Sequence, residues 1–237
     1  CGLLTFRVNI MTIKFLLQSP DHNETTQEFQ TLLASAKDGR LYILTGSVSS
    51  YGGVASELAS AISWAANQAN REIVLLIGIF ADTKGKYTDS LDQVVTKVGN
   101  LFVKTINALR SNSNTGIAIN VQFVAVRKWH AKAIGLSGRG KDFLNTDFSI
   151  FGSTNFTEPA RHGDNYEFDT CIINDDQDGA GPLIRTFATK LRTLIHHGFQ
   201  HNREPAFAHR VVQIITQNLS NVTISPQTGQ SCYQLGF

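Results

Sequence analysis

Cysteine occurs three times in the 237 residues of this chain and methionine once. The three cysteines, Cys1, Cys171 and Cys232, are far apart, odd in number and without the spacing of a zinc site. A reducing compartment is the simple reading, and a cytoplasmic location is expected. A Cys at position 1 raises the lipidated terminus of a processed lipoprotein, but the expectation is against it. Long apolar runs are also missing. The nearest, LLTFRVNIMTIKFLL (3–17), is interrupted by Arg7, Asn9 and Lys14. It falls short of the ~18 residues that span a bilayer, and it reads as a strand and not as a signal peptide. A large excess of one charge is absent too: the formal net charge is +2. That is too little for a dedicated nucleic-acid coat, although a local patch matters more than the total. No internal repeat, low-complexity tract or linker divides the chain.

What is present is the composition of a globular protein, 42% hydrophobic and 17% charged. A chain of this length can bury a sizeable core, and one domain over 1–237 is expected. A buried strand followed by a Ser- and Gly-rich loop over 40–53, and apolar strand patterns at 71–80 and 117–126, alternate with helical periodicity at 22–37, 54–70 and 91–110. Further strands are expected at 147–156 and 166–174, and further helices at 181–197 and 206–219. The tail, 220–237, is polar and weakly patterned. The alternation predicts an α/β sandwich with a mostly parallel sheet, in which the segment 122–156 adds antiparallel character.

The chemistry concentrates in WHAKAIGLSGRGKDFLNTDFSIFGSTNFT (129–157). Side chains two apart on a strand share a face, so His130 and Lys132 project together while Ala131 and Ala133 turn away. The polar loop 138–146 turns the chain, and the returning strand brings Ser153 and Asn155 beside them. Glu167 opens the next strand. This set suits attack on a phosphodiester. Imidazole is nucleophilic near neutral pH. A lysine ammonium and an asparagine amide supply donors for the non-bridging oxygens. A second histidine, needed to protonate the leaving oxygen, is missing, and a two-fold homodimer with its sites at the axis would supply it.

HAK followed by GSTN resembles the HxK…GSxN signature of the phospholipase D superfamily. LYILTGSVSSYGGVASEL (41–58), HAKAIGL (130–136), GSTNFTEPA (152–160) and NYEFDTCII (165–173) narrow the resemblance to metal-independent restriction endonucleases with a phospholipase D-type nuclease domain. It covers roughly residues 28 to 200. The resemblance implies an α/β/α sandwich with a mixed, mostly parallel sheet and a reaction without metal or other cofactor. His130 would form a phosphohistidine, its symmetry mate would be the general acid, and Lys132 and Asn155 would hold the phosphate with help from Ser153. Glu167 would orient His130. The wider superfamily often carries an Asp five residues after the Lys; Ser137 stands there, which weakens a lipase assignment more than catalysis itself.

Lys84, Lys86, Arg127, Lys128, Arg139, Lys141 and Arg161 cluster in sequence around this region. They are read as a groove for a nucleic-acid backbone over the alternative of a solvated surface. Arg127, Lys128, Arg139, Lys141 and Arg161 are the candidate contacts. DNA is the expected partner, with RNA or single strands open. Asn155-Phe-Thr is a formal glycosylation sequon, discounted beside a catalytic strand. His196, His197 and His201 read as a solvated helix end and not a metal site. Tyr51, Gly52 and Gly53 precede a helix and either present amides to a phosphate or form an ordinary turn. Two other functions compete: a lipid phosphodiesterase, and a silent phospholipase D-like module that binds nucleic acid.

Overall fold

A computed structural model of the chain describes residues 12–19, 21–48, 56–79, 90–110, 116–138, 142–155, 157, 160, 165–174, 180–225 and 234–237. Its strands form one continuous nine-stranded sheet. In chain order they are β1 (Thr12–Ser19), β2 (His22–Asn23), β3 (Gly39–Thr45), β4 (Arg71–Ile79), β5 (Ile117–Arg127), β6 (Ala133–Ser137), β7 (Thr146–Gly152), β8 (Glu167–Ile173) and β9 (Val222–Ser225). The helices are α1 (Glu24–Ser35), α2 (Ser56–Ala65), α3 (Leu91–Arg110), α4 (Ala180–His201) and α5 (Phe207–Asn218). A 3-10 turn, Phe143–Asn145, precedes β7.

The spatial order is β2-β1-β8-β7-β6-β3-β4-β5-β9. The sheet is mixed, and the expectation of a mostly parallel one is corrected. Three neighbouring pairs are parallel, β3–β4, β4–β5 and β5–β9. Five are antiparallel, from β3–β6 outward to β1–β2. The reason is connectivity: helices α2 and α3 return the chain for parallel addition, whereas the short 138–146 connection can only reverse it.

The central strands are apolar on both faces, as a sheet covered on both sides requires. Leu41, Ile43, Ile73, Leu75 and Ile77 face a core built with Phe29 and Leu33 of α1, Leu58 and Ile62 of α2, Val98 and Phe102 of α3, and Phe207 and Val211 of α5. Tyr42, Leu44, Val74 and Leu76 face a second core closed by Ala188, Leu191 and Ile195 of α4. Each fully buried Leu or Ile contributes about 1.5–3 kcal/mol.

The tail has a structural role that its polar composition hid. Val222–Ser225 adds β9 to the edge of β5. Leu235 and Phe237 are buried in the α4-side core. Phe237 packs against Tyr42, Phe143 and Phe199 at ring separations of 5.2, 5.4 and 6.4 Å. Gly236 allows this, with φ +78°, a backbone state that side-chain-bearing residues rarely adopt. Phe237→Ala is therefore expected to lower unfolding free energy by about 3–5 kcal/mol in a urea titration, as truncation of a core residue and not of a loose end.

Candidate active site

His130 lies on the segment 128–132, which turns after β5 and crosses past the ends of β4 and β3 to reach β6. Lys128 takes φ +61°, and its N–H donates to the Ile79 carbonyl at 2.8 Å. The left-handed conformation costs about 1 kcal/mol or more in a residue with a side chain. Trp129 offsets it by inserting into the α4-side core, with its Nε1–H bonded to the Ala131 carbonyl at 2.8 Å. Ala131 and Ala133 pack on that same core. His130 is left exposed and Lys132 half-buried. The alternation expected from the sequence holds, but His130 and Lys132 precede β6 and do not lie within it.

Lys132 Nζ lies 2.8 Å from His130 Nδ1 and 3.2 Å from Nε2. An ammonium has no acceptor, so it can bond only an unprotonated ring nitrogen. Partial burial, and then the Lys132 charge, hold the His130 pKa below the usual imidazole value. Burial likewise lowers the Lys132 pKa, against which the Glu167 carboxylate acts. Glu167 is half-buried at the start of β8 and accepts from Asn165 Nδ2 at 3.2 Å.

Asn155 approaches from the other side with a fixed amide. Its Oδ1 accepts the Gly46 N–H at 3.1 Å. The Thr45 hydroxyl, which donates to the Ser47 carbonyl at 2.7 Å, lies 3.3 Å from the same oxygen. With Oδ1 so placed, Nδ2 is the donor end of the group. Gly46 fills the space between the two residues: a Cβ there would stand 3.1 Å from Asn155 Oδ1 and 3.5 Å from His130 Cα and Cδ2. Sequence reasoning missed Thr45 and Gly46. It drew attention instead to Tyr51, Gly52 and Gly53, which lie outside the described residues. The available signal was a Thr-Gly pair at the carboxyl end of a buried strand.

The turn that carries Asn155 is anchored on β8. The Ser153 N–H donates to the Phe168 carbonyl at 3.2 Å, and the Ser153 hydroxyl accepts the Phe168 N–H at 3.0 Å. Ser153 thus couples two strands, a task that reading it only as a phosphate ligand did not anticipate. Thr154 turns inward, where its N–H meets Asp169 Oδ1 at 3.2 Å and its hydroxyl meets Oδ2. The Thr25 hydroxyl of α1 donates to the same Oδ2 at 2.8 Å. Thr26 beside it donates to a second buried carboxylate, Glu57 of α2. A Cβ at Gly152 would overlap Asp169 Oδ1 and the Phe168 carbonyl, so only glycine fits. Asp169, buried within β8, was not singled out from sequence.

Four chain segments therefore meet at one end of the sheet. Gly46 follows β3, Lys132 precedes β6, Asn155 follows β7 and Glu167 opens β8. Of the candidate nucleic-acid contacts, Arg127 is exposed but paired with Glu204, and Lys128 is exposed. Arg139, Lys141 and Arg161, with Lys84 and Lys86, lie outside the described residues. His196, His197 and His201 run along the end of α4, with the His197 and His201 rings 4.6 Å apart. Among the described residues no group of three or more His, Cys, Asp or Glu is placed to hold a metal ion. Burial pushes the Cys171 thiol up to about 12, which leaves it protonated and unreactive at neutral pH.

No family model and no curated protein matches the chain. Among solved structures it is similar to phosphatidylserine synthase from Haemophilus influenzae Rd KW20, with a TM-score of 0.51, 10% identity, and coverage of 90% of this chain and 43% of the synthase. It is similar also to Nuc from Salmonella typhimurium, a phospholipase D family member, with a TM-score of 0.49, 12% identity, and coverage of 82% and 97%. A third is NucT from Helicobacter pylori, with a TM-score of 0.42, 13% identity, and coverage of 81% and 98%. The likeness to the synthase gives the fold, an α/β architecture shared over less than half of that enzyme's length.

Two outcomes follow from the geometry. Gly152→Ala should cost about 1–3 kcal/mol in urea unfolding, because the rigid Phe168 backbone cannot yield. Lys132→Met should raise the His130 pKa, since it removes a neighbouring positive charge; titration of the His130 ring signals by NMR reads the shift.

Proposed function

We propose that this chain is a phosphodiesterase that cleaves DNA, with His130 as its nucleophile. The observation that carries the reading is the Lys132 ammonium 2.8 Å from a His130 ring nitrogen, beside an Asn155 amide whose orientation Gly46 sets. A neutral imidazole can attack phosphorus, and two donors flank it where a phosphate's non-bridging oxygens gather charge.

In the proposed reaction a His130 ring nitrogen bonds to phosphorus. The phosphorus–oxygen bond to the leaving sugar breaks, and its electron pair stays on that oxygen. The oxygen takes a proton from a second imidazole, His130 of a second copy. Water then attacks the phosphohistidine, gives its proton to the second imidazole, and the phosphorus–nitrogen bond breaks to restore His130. Lys132 and Asn155 hold the phosphate, Ser153 keeps Asn155 in register, and Glu167 orients the His130–Lys132 pair. The motif resemblance adds that no metal takes part and that the chain is the catalytic unit of a restriction-type endonuclease, acting as a homodimer in a bacterial cytoplasm. No helix among the described residues is long and apolar enough to cross a membrane.

The fold shared with a phosphatidylserine synthase favours a second reading, transfer or hydrolysis at a phospholipid. One experiment separates them. Supercoiled plasmid, single-stranded DNA and phospholipid vesicles are incubated with the wild type and with His130→Ala, all in excess EDTA. Cleavage of DNA in EDTA is expected, reduced by more than about 10³-fold in the variant. Turnover of lipid alone would replace DNA with lipid. DNA binding without cleavage in either protein would make the chain a silent module.

A further inference from the structure

Three histidines stand at the end of α4, and they are not equivalent. His196 is half-buried, and its Nε2 accepts from Arg192 Nε at 3.4 Å. His197 and His201 are exposed. They lie four residues apart, on one face of the helix. Their ring centres are 4.6 Å apart and their planes are inclined by 50°. Among the described residues neither of these two rings has a hydrogen-bond or ion-pair partner. The backbone beneath the pair is fixed. Leu191 and Ile195, on the buried face of α4, lie in the second core. Gly198 packs on β5, where a Cβ would stand 2.8 Å from Val126 Cγ1. Beyond His201 the chain is tied to β5: the Asn202 carbonyl accepts the Arg127 N–H at 2.8 Å, and the Glu204 N–H donates to the Ala125 carbonyl at 3.0 Å. A helix end held in this way loses little freedom when its side chains take a ligand.

We propose that His197 and His201 form a two-histidine chelate for a late first-row divalent metal ion. An imidazole coordinates through its unprotonated nitrogen, and it suits copper, nickel and zinc. A metal–nitrogen bond of about 2.0–2.1 Å puts each ring centre about 3.2 Å from the ion, so two rings bound at a right angle stand about 4.5 Å apart. The observed 4.6 Å meets that span without movement of the helix. Rotation about the last side-chain bond, which is soft in histidine, turns a nitrogen of each ring toward one point. The carboxyl end of a helix also carries partial negative charge, which favours a cation. Magnesium and calcium fit poorly, since both take oxygen ligands. A third protein ligand is lacking among the described residues, so water completes the coordination. The spacing in the sequence did not by itself favour a metal; two neighbouring rings without other partners do. The inference does not rest on the proposed reaction, in which no metal takes part.

The test is a calorimetric titration of the full chain with Ni²⁺ near neutral pH, on wild type, His197→Ala, His201→Ala and His196→Ala. Alanine suits an exposed helical position, so the fold should be kept; circular dichroism melts check it. Wild type is expected to bind an ion that His197→Ala and His201→Ala each bind about 10²-fold more weakly or not at all, because one imidazole alone forfeits the chelate. His196→Ala is expected to bind as wild type does. Broadening of the His197 and His201 ring signals by the paramagnetic ion, read by NMR on the wild type, locates the metal without any substitution. Equal binding by wild type and both variants would overturn the proposal. Loss in only one of them would overturn it too, since it marks a single-ligand contact, as would equal loss in His196→Ala. Wild-type binding weaker than about 1 mM would mark an adventitious ion only and would also overturn it.

Discussion

The Asp169 carboxylate is the contact on which the site's geometry depends. It is buried, and a buried carboxylate is costly unless donors surround it. Three do: the Thr154 N–H, the Thr154 hydroxyl and the Thr25 hydroxyl. Hydrogen bonds to a charged group contribute roughly 1.5–3 kcal/mol each, enough together to hold a turn in one conformation. That turn is Gly152 to Asn155. The missing side chain at 152 admits the carboxylate, the carboxylate fixes Thr154, and Thr154 sets the direction in which Asn155 leaves the strand. The same contact ties α1 to β8, so the helix layer and the turn cannot move independently.

The opposite half of the site is built by different means for the same end. Lys128 turns the chain against the end of β4, and Trp129 pins the turn in the core. Gly46 then lies between the two halves, its N–H on Asn155 and the position a Cβ would take facing His130. The place is set by topology. β3 is the strand at which parallel pairing on one side changes to antiparallel pairing on the other. From its carboxyl end the chain leaves through α2 to the parallel β4, while on the other side the antiparallel β6 begins at that same end, and open α/β sheets place ligand sites where the strand order reverses. Chain ends from both kinds of pairing converge there.

Much of this was legible from sequence because it is local. The period of α3 over 91–110 and the apolar runs of β4 and β5 depend on neighbouring residues alone, and the elements formed where the patterns end. His130, Lys132, Ser153, Asn155 and Glu167 were named by motif and do gather at one end of the sheet, although Ser153 is engaged with a backbone. What the sequence hid is long-range. An apolar strand reads the same in either direction, so the balance of parallel and antiparallel pairs was misjudged. Asp169 matters through Thr25, 144 residues away, and Gly46 through Asn155, 109 residues away. Phe237 follows a polar tail, and its burial depends on a hole left by Tyr42, Phe143 and Phe199.

The electrostatics of the pair constrain any reaction at this site. A nucleophilic imidazole must be neutral, and Lys132 favours that state by opposing a nearby positive charge. The second imidazole of the proposed reaction must be protonated, yet in a symmetric dimer it has the same neighbours. The two requirements agree only if the pair holds one proton between them, so that the dimer titrates as a coupled system and not as two independent histidines. In the proposed reaction a phosphodiester entering between Lys132 and Asn155 would supply the needed bias. Its negative charge would offset the ammonium, which after burial is the second cause holding the His130 pKa down, and would favour uptake of a single proton as substrate binds. The first copy's ring would then face phosphorus without a proton, and the second would face the leaving oxygen with one. In that reaction Lys132 would do more than hold the phosphate: with burial it lowers the His130 pKa, so that the acid of the reaction would form where the substrate's charge arrives.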